Sequence, residues 1–124
     1  MEVLVLDDGS TDGTEEMVRR EFPQVRLERS PHSLGLIAQR TRAAHMVSAP
    51  IIVSIDDDAV FASPATIRQT LADFDHPRVG AVAIPYVDVR VSTTVRQRAP
   101  APTGVYVCSE YRGTAHALRR DLFV

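Results

Sequence analysis

Two groups of aspartates carry the chemistry open to this sequence. Asp56-Asp57-Asp58 closes the apolar run Ile51-Ile52-Val53-Ser54-Ile55, and Asp7-Asp8 closes Val3-Leu4-Val5-Leu6 before the turn-forming Gly9-Ser10-Thr11-Asp12-Gly13-Thr14. If strand geometry persists through the first group, Asp56 and Asp58 point to one side and Asp57 to the other. Converging carboxylates repel unless a cation lies between them, and hard divalent ions take oxygen ligands, so Asp56 and Asp58 read as a Mg²⁺ or Mn²⁺ site. The plainer alternative is three solvated acids at a strand end. A bound cation would present a positive face to a diphosphate, while the first aspartate group matches the N–H and O–H donors of a nucleobase or ribose. A nucleoside diphosphate attached to a leaving sugar satisfies both halves, and a separate base must then deprotonate the acceptor hydroxyl.

The elements that position these acids follow from periodicity. Ile51–Ile55 is almost entirely β-branched and reads as a strand buried on both faces. Glu2–Leu6, Val25–Glu28 and Val79–Ile84 read as further strands, and Val105–Tyr111 as another. Helices are predicted from about Asp12 to Glu21, with Met17 and Val18 inward; from Leu34 to Val47; and from Ser63-Pro64 to about Asp75, through Ile67, Leu71 and Phe74. In the second, Leu34, Ile37, Ala38 and Ala44 suit the sheet, leaving Gln39, Arg40, Arg42 and His45 mostly elsewhere. The alternation implies an α/β, Rossmann-like fold with a mostly parallel sheet and flanking helices. Strand C-termini then share one edge, so both aspartate groups should open onto the same crevice.

Composition narrows the field. At 124 residues, 44% hydrophobic and 24% charged, the chain is of single-domain size, and its net charge of -2 makes no electrostatic case for nucleic acid or an anionic membrane. No apolar run is long enough to span a bilayer. The single cysteine, Cys108, excludes an internal disulfide, suits a reducing, cytoplasmic setting and reads as a small core residue. All 14 basic residues are arginine, which removes lysine-dependent phosphate loops and Schiff-base chemistry. His45, His76 and His116 lack a metal-ligand spacing and read as surface or local hydrogen-bonding residues.

Together, Val3 to Thr14 and Ile55 to Ala59 resemble the nucleotide-binding loop and DxD motif of family 2 glycosyltransferases with the GT-A fold. Gly35 and Arg40 resemble the glycine and arginine of the helix between them, and Gly113 to Arg120 is similar to the acceptor-side strand. The resemblance implies inverting transfer of a sugar from a nucleotide-sugar donor, most often UDP-linked, to an acceptor hydroxyl on a saccharide, lipid or protein. It implies that Asp7, Asp8, Gly35, Arg40, Asp56 and Asp57 serve the nucleotide, that Asp56 and Asp58 hold the metal, and that Gly113 lies on the acceptor side. It divides the chain into a nucleotide-sugar part (1–87), a loop (88–104) and the start of an acceptor part (105–124). Family members carry one more strand and helix before this point, and a catalytic base in a glutamate–aspartate pair beyond the double arginine. The expectation is therefore an internal fragment whose base lies beyond Val124, Glu110 and Asp121 being weak substitutes. The asparagine usual before the helix glycine is absent, with His32 and Ser33 in that neighbourhood. Two alternatives are a nucleotide-binding module without catalysis and an aspartate-nucleophile phosphatase built on Asp56 and Asp58, which would need a lysine the chain lacks.

Overall fold

The computed structural model describes residues 1–101, 106–108 and 110–124. They form two compact units, 1–48 and 49–124, each with its own sheet.

In the first unit, β1 (Leu4–Asp7) and β2 (Arg26–Arg29) pair in parallel, connected through α1 (Thr14–Glu21), and α2 (Leu36–Met46) follows β2. The start of α1 is set by Gly13, whose φ of 87° suits glycine, and by the Asp12 carboxylate, which accepts from the Thr14 N–H (3.1 Å) and hydroxyl (2.6 Å). Glu15 and Glu16 in its first turn and Arg19 and Arg20 in its last complement the helix dipole, and Val18 is buried. The expected inner face of α2 is corrected. Its buried residues are Gln39 and Ala44, whereas Leu36 and Ile37 are 56% and 75% exposed, and Leu34 and Ala38 are exposed too. The cause is polar: Gln39 is drawn inward by a carboxylate of the β1 turn.

In the second unit, β3 (Ile51–Ile55) is followed by α3 (Thr66–Ala72), a single 3₁₀ turn over Asp73–Asp75, β4 (Ala81–Ala83) and β5 (Ala115–Arg119). The last strand lies between β3 and β4 and runs antiparallel to both, with Val53 and Val82 opposite Ala117. Thus β3 and β4 run in the same sense, as a strand–helix–strand crossover requires, but are not neighbours. The strand expected over 105–111 is not found: Tyr106 to Cys108, Glu110 and Tyr111 lie outside any strand, and Val105 and Ser109 are outside the described residues, as are Pro102, Thr103 and Gly104 of the expected loop.

Phe74, Val79 and Ala117 form the core of this unit, with Ile51, Val53 and Val82 packed on it. The β3 strand is half-buried rather than sealed on both faces, and Ile55 is exposed. Thr70 rather than Leu71 is the buried residue of α3. Arg119 ties the core's rim together: its guanidinium donates to the carbonyls of Val79 (2.8 Å) and Phe74 (2.7 Å) and lies 5.5 Å from the centre of the Phe74 ring. His116, read as a surface or locally hydrogen-bonded residue, is buried in β5 and engaged there, with Tyr111 beside it at a ring separation of 5.3 Å. Cys108, expected in the core, is exposed. Among the described residues, no helix is long and apolar enough to cross a membrane.

Ala117 has no exposed surface and faces a valine on each side. Ala117→Leu must therefore displace the core, and an overpacking loss of about 1–3 kcal/mol is expected in urea unfolding. An unchanged midpoint would mean that this position is not tightly packed.

Candidate functional site

The first aspartate group sits where β1 runs into its turn. Asp7 is the last residue of β1 and lies opposite Arg29 in the parallel register, so the two side chains are brought together by strand pairing alone. Asp7 is 3% exposed; its Oδ1 accepts from the Ser10 N–H at 2.8 Å and closes the turn. Its Oδ2 lies 3.2 Å from Arg29 Nε but receives no aligned hydrogen bond, so that contact is one of charge. Arg29 also donates to the Ser10 carbonyl (2.7 Å) and pairs with Glu15 (3.3 Å). The Ser10 hydroxyl and N–H, aided by the Arg29 charge, hold the Asp7 carboxyl below the usual carboxylate range against the opposing effect of burial.

Asp8 points the other way, to the start of α2. Oδ1 accepts from the Leu34 N–H at 2.8 Å and from the Gln39 amide; Oδ2 accepts from the Ser33 hydroxyl at 2.6 Å and the Gly35 N–H at 2.9 Å. The Leu34 N–H, then the Ser33 hydroxyl and the Gln39 amide, hold this carboxyl far below its ordinary range. Gly35 is the residue before α2 and has φ 85°, which only glycine adopts freely. Gly9, at φ 86°, lets the turn pass so close that a Cβ there would sit 3.0 Å from the His32 carbonyl carbon and 3.1 Å from the Ser33 nitrogen. Ser33 supplies a donor in the stretch where the resemblance leads one to expect an asparagine.

Gln39 extends the network inward. Its amide donates to Asp8 and to the hydroxyl of fully buried Ser30 (2.7 Å), which also accepts from Arg42 (3.0 Å). Gln39 Oε1 is buried with no hydrogen-bond partner, an omission that costs roughly 1–3 kcal/mol. The amide is held this way round by what its two hydrogens give. Arg40, the next residue, is half-buried and already engaged by a neighbouring group.

The second group differs. The Asp56 N–H donates to the Thr114 carbonyl (3.0 Å), and the Asp56 carbonyl then accepts from the Ala59 N–H (3.2 Å), so the chain turns through Asp57 and Asp58. Strand alternation therefore ends at Ile55, and the sharing of one side by Asp56 and Asp58 does not follow from it. Asp56 is half-buried and engaged, while Asp57 and Asp58 are exposed. Asp58 Oδ2 lies 3.6 Å from Arg90 Nη2, both side chains being largely exposed. Arg90 is delivered by a loop pinned at the Tyr86–Arg96 bridge and turned by Asp88, whose carboxylate accepts from the Arg90 N–H at 3.1 Å. Gly113 lies in the turn leading into β5.

Asp56 and Asp58 fit a hard divalent ion in donor chemistry, each bringing carboxylate oxygen, and no aligned hydrogen bond ties Asp58 to Arg90 at 3.6 Å. Among the described residues, no cluster of three or more His, Cys, Asp or Glu is placed to hold a metal. An ion here would fill its shell with water and phosphate oxygens, the usual habit of Mg²⁺.

Of these partners, Arg29 and Ser30 escaped the sequence reading, Ser33 was noted only as standing near the absent asparagine, and Gln39 was placed away from the sheet. Two had a legible signal: Arg29 falls opposite Asp7 once β1 and β2 are aligned, and Gln39 lies one turn after Gly35, where a helical side chain leans back toward the N-terminus.

The glycosyl transferase family 2 model matches residues 1–121, and the chain belongs to this family. A mannosyltransferase from Pyrobaculum calidifontis, solved in complex with GDP-mannose and Mn²⁺, has a similar fold: TM-score 0.74, 24% identity, covering 98% of this chain and 36% of that one. The chain thus spans about a third of that enzyme's length, and the fold is α/β, Rossmann-like and of the GT-A type. Comparison with curated proteins finds no match. Family membership leaves the aspartate-nucleophile phosphatase alternative without support.

Depressed carboxylates in the folded chain tie stability to pH. The Asp8 contribution is fully present above the unfolded value of about 4 and is lost as pH falls from there through the lower folded value. Melting temperature should drop from about pH 5 downward, less steeply in Asp8→Asn than in wild type, as followed by circular dichroism. Equal slopes would remove Asp8 from the acid transition.

Proposed function

We propose that the protein transfers a sugar from a nucleotide-diphosphate donor, UDP-linked in our reading, to an acceptor hydroxyl with inversion, assisted by a divalent cation. The observation that carries this reading is the family match over residues 1–121, which includes both aspartate groups. The β1 turn with Asp7 and Asp8, together with Gly35 and Arg40, serves the nucleoside. Asp56 and Asp58 hold the cation, with Asp57 toward the ribose, and Gly113 stands on the acceptor side. When bound, the cation would neutralise charge developing on the departing diphosphate. The chain's own part is to hold donor atoms still. Glycine at positions 9 and 35 allows the backbone to come close, and the Asp7–Arg29 and Asp8–α2 contacts fix the turn before a ligand arrives. The base that deprotonates the acceptor is not assigned to any residue of 1–124. That GDP-mannose and Mn²⁺ accompany the Pyrobaculum enzyme supports a nucleotide sugar and a cation, and makes guanine the competing nucleobase.

Thermal shift with UDP or GDP, with and without Mn²⁺, tests the reading. A saturating nucleotide at about a hundred times its dissociation constant should stabilise by about 2.7 kcal/mol. The Mn²⁺-dependent part should vanish in Asp56→Asn and Asp58→Asn, with the metal-free melting point unchanged in Asp58→Asn, whose side chain is exposed. No shift with either nucleotide would end the proposal. Product anomeric configuration, read by NMR from a transfer assay, decides inversion.

A further inference from the structure

We propose that Asp8 supports nucleotide binding as a positioning residue: its carboxylate clasps the turn before α2 and the helix's first turn, and makes no bond to the nucleotide. This rests on the nucleotide-binding reading above and deepens it. A carboxylate presents about four acceptor directions, and protein donors take them all: Leu34 N–H and the Gln39 amide on Oδ1, Ser33 O–H and Gly35 N–H on Oδ2. A base imide or ribose hydroxyl could reach Asp8 only by displacing one of them. Two of the four are backbone N–H groups at a helix start, where no intrahelical acceptor exists to take them back.

The neighbourhood is built around that saturation. Gln39 turns its amide so that both hydrogens are given, to Asp8 and Ser30, and leaves its own buried oxygen without a donor. Rotating the amide would set oxygen against carboxylate. Ser30 in turn takes Arg42, whose guanidinium lies 4.0 Å from Glu28. The chain of contacts therefore runs from the β1 turn through α2 to the end of β2, and Asp8 is its terminus on the turn. Changing Asp8 shifts the groups around the nucleoside rather than deleting one of them.

Exchanging the two partners separates this from direct contact. Titration calorimetry on the full-length protein with UDP and with GDP, in Mn²⁺, is expected to show Asp8→Asn weakening each nucleotide it binds by about tenfold, the worth of one charge-assisted hydrogen bond, and by the same factor for both. Adding Gln39→Glu restores an amide–carboxylate contact with the roles reversed but leaves the Leu34 N–H facing an amide donor, so it should recover about threefold of the tenfold loss. A carboxylate that touched the nucleotide would not be replaced by one at position 39, so an unrescued loss, or a loss confined to one base, overturns the proposal. If Asp8→Asn does not fold, Gln39→Met carries the test, and unchanged affinity there overturns it as well. Should wild type bind neither nucleotide, the functional reading fails by itself. The clasp is then judged by the Gly35 amide resonance, which should move in Asp8→Asn and return in the double variant, and it is overturned if it does not.

Discussion

The saturated carboxylate of Asp8 is the constraint on which the first unit depends. A half-buried carboxylate gives up part of its hydration and needs donors in exchange, and ready donors in a folded chain are the N–H groups left unpaired at and just before the start of a helix. Asp8 takes those of Leu34 and Gly35, on the side of α2 where the helix dipole favours negative charge. Once these bonds form, the direction of α2 relative to β1 is fixed, and so is its rotation, because Gln39 must face Asp8 and Ser30. The apolar residues Leu36 and Ile37 are then carried outward, and hydrophobic burial yields to a charged hydrogen-bond network.

This explains where the sequence was readable and where it was not. The strands β1 and β3 and the helix α1 announce themselves by apolar runs and by turn residues at their ends, and they fall within a residue or two of expectation. The inner face of α2 was misread because apolar spacing assumes that burial decides the rotation of a helix. The strand β5 was reached through the resemblance of Gly113 to Arg120 to an acceptor-side strand and not through periodicity: Ala115-His116-Ala117-Leu118-Arg119 has weak β propensity, and its place is set by cross-strand fit between two valines. The more strand-like Val105–Tyr111 competed with it on propensity alone. The importance of Asp7, Asp8, Gly9 and Gly35 was legible, but not the division of labour among them, since who donates to whom depends on partners up to 31 residues away.

The two aspartate groups illustrate opposite uses of the same side chain. In the first unit the carboxylates are consumed by the fold: Asp7 closes a turn and faces Arg29, and Asp8 clasps a helix. Their depressed proton affinity records that structural engagement and is not by itself a sign of chemistry. In the second unit the strand ladder stops at Ile55, the chain turns, and Asp57 and Asp58 are left in water. An acid motif engaged by the fold and one left largely to solvent thus look alike as letters and differ in how many internal donors they have.

Arg90 sharpens that distinction. An exposed ion pair at 3.6 Å contributes only about 0–1 kcal/mol, because water and side-chain entropy offset most of the attraction. Such a pair lowers the repulsion around Asp58 without claiming its lone pairs, which an aligned guanidinium fork would do. A divalent cation competing for the same oxygen brings twice the charge at a shorter distance, so the arginine offers little resistance to exchange. Arg90 is held in its loop by the Asp88 turn and the Tyr86–Arg96 bridge, and its Nε also lies 3.6 Å from the Asp88 carboxylate. Shared at 3.6 Å between Asp58 and Asp88, the Arg90 charge is committed to neither, and it lowers the repulsion between two carboxylates at the surface without fixing either one.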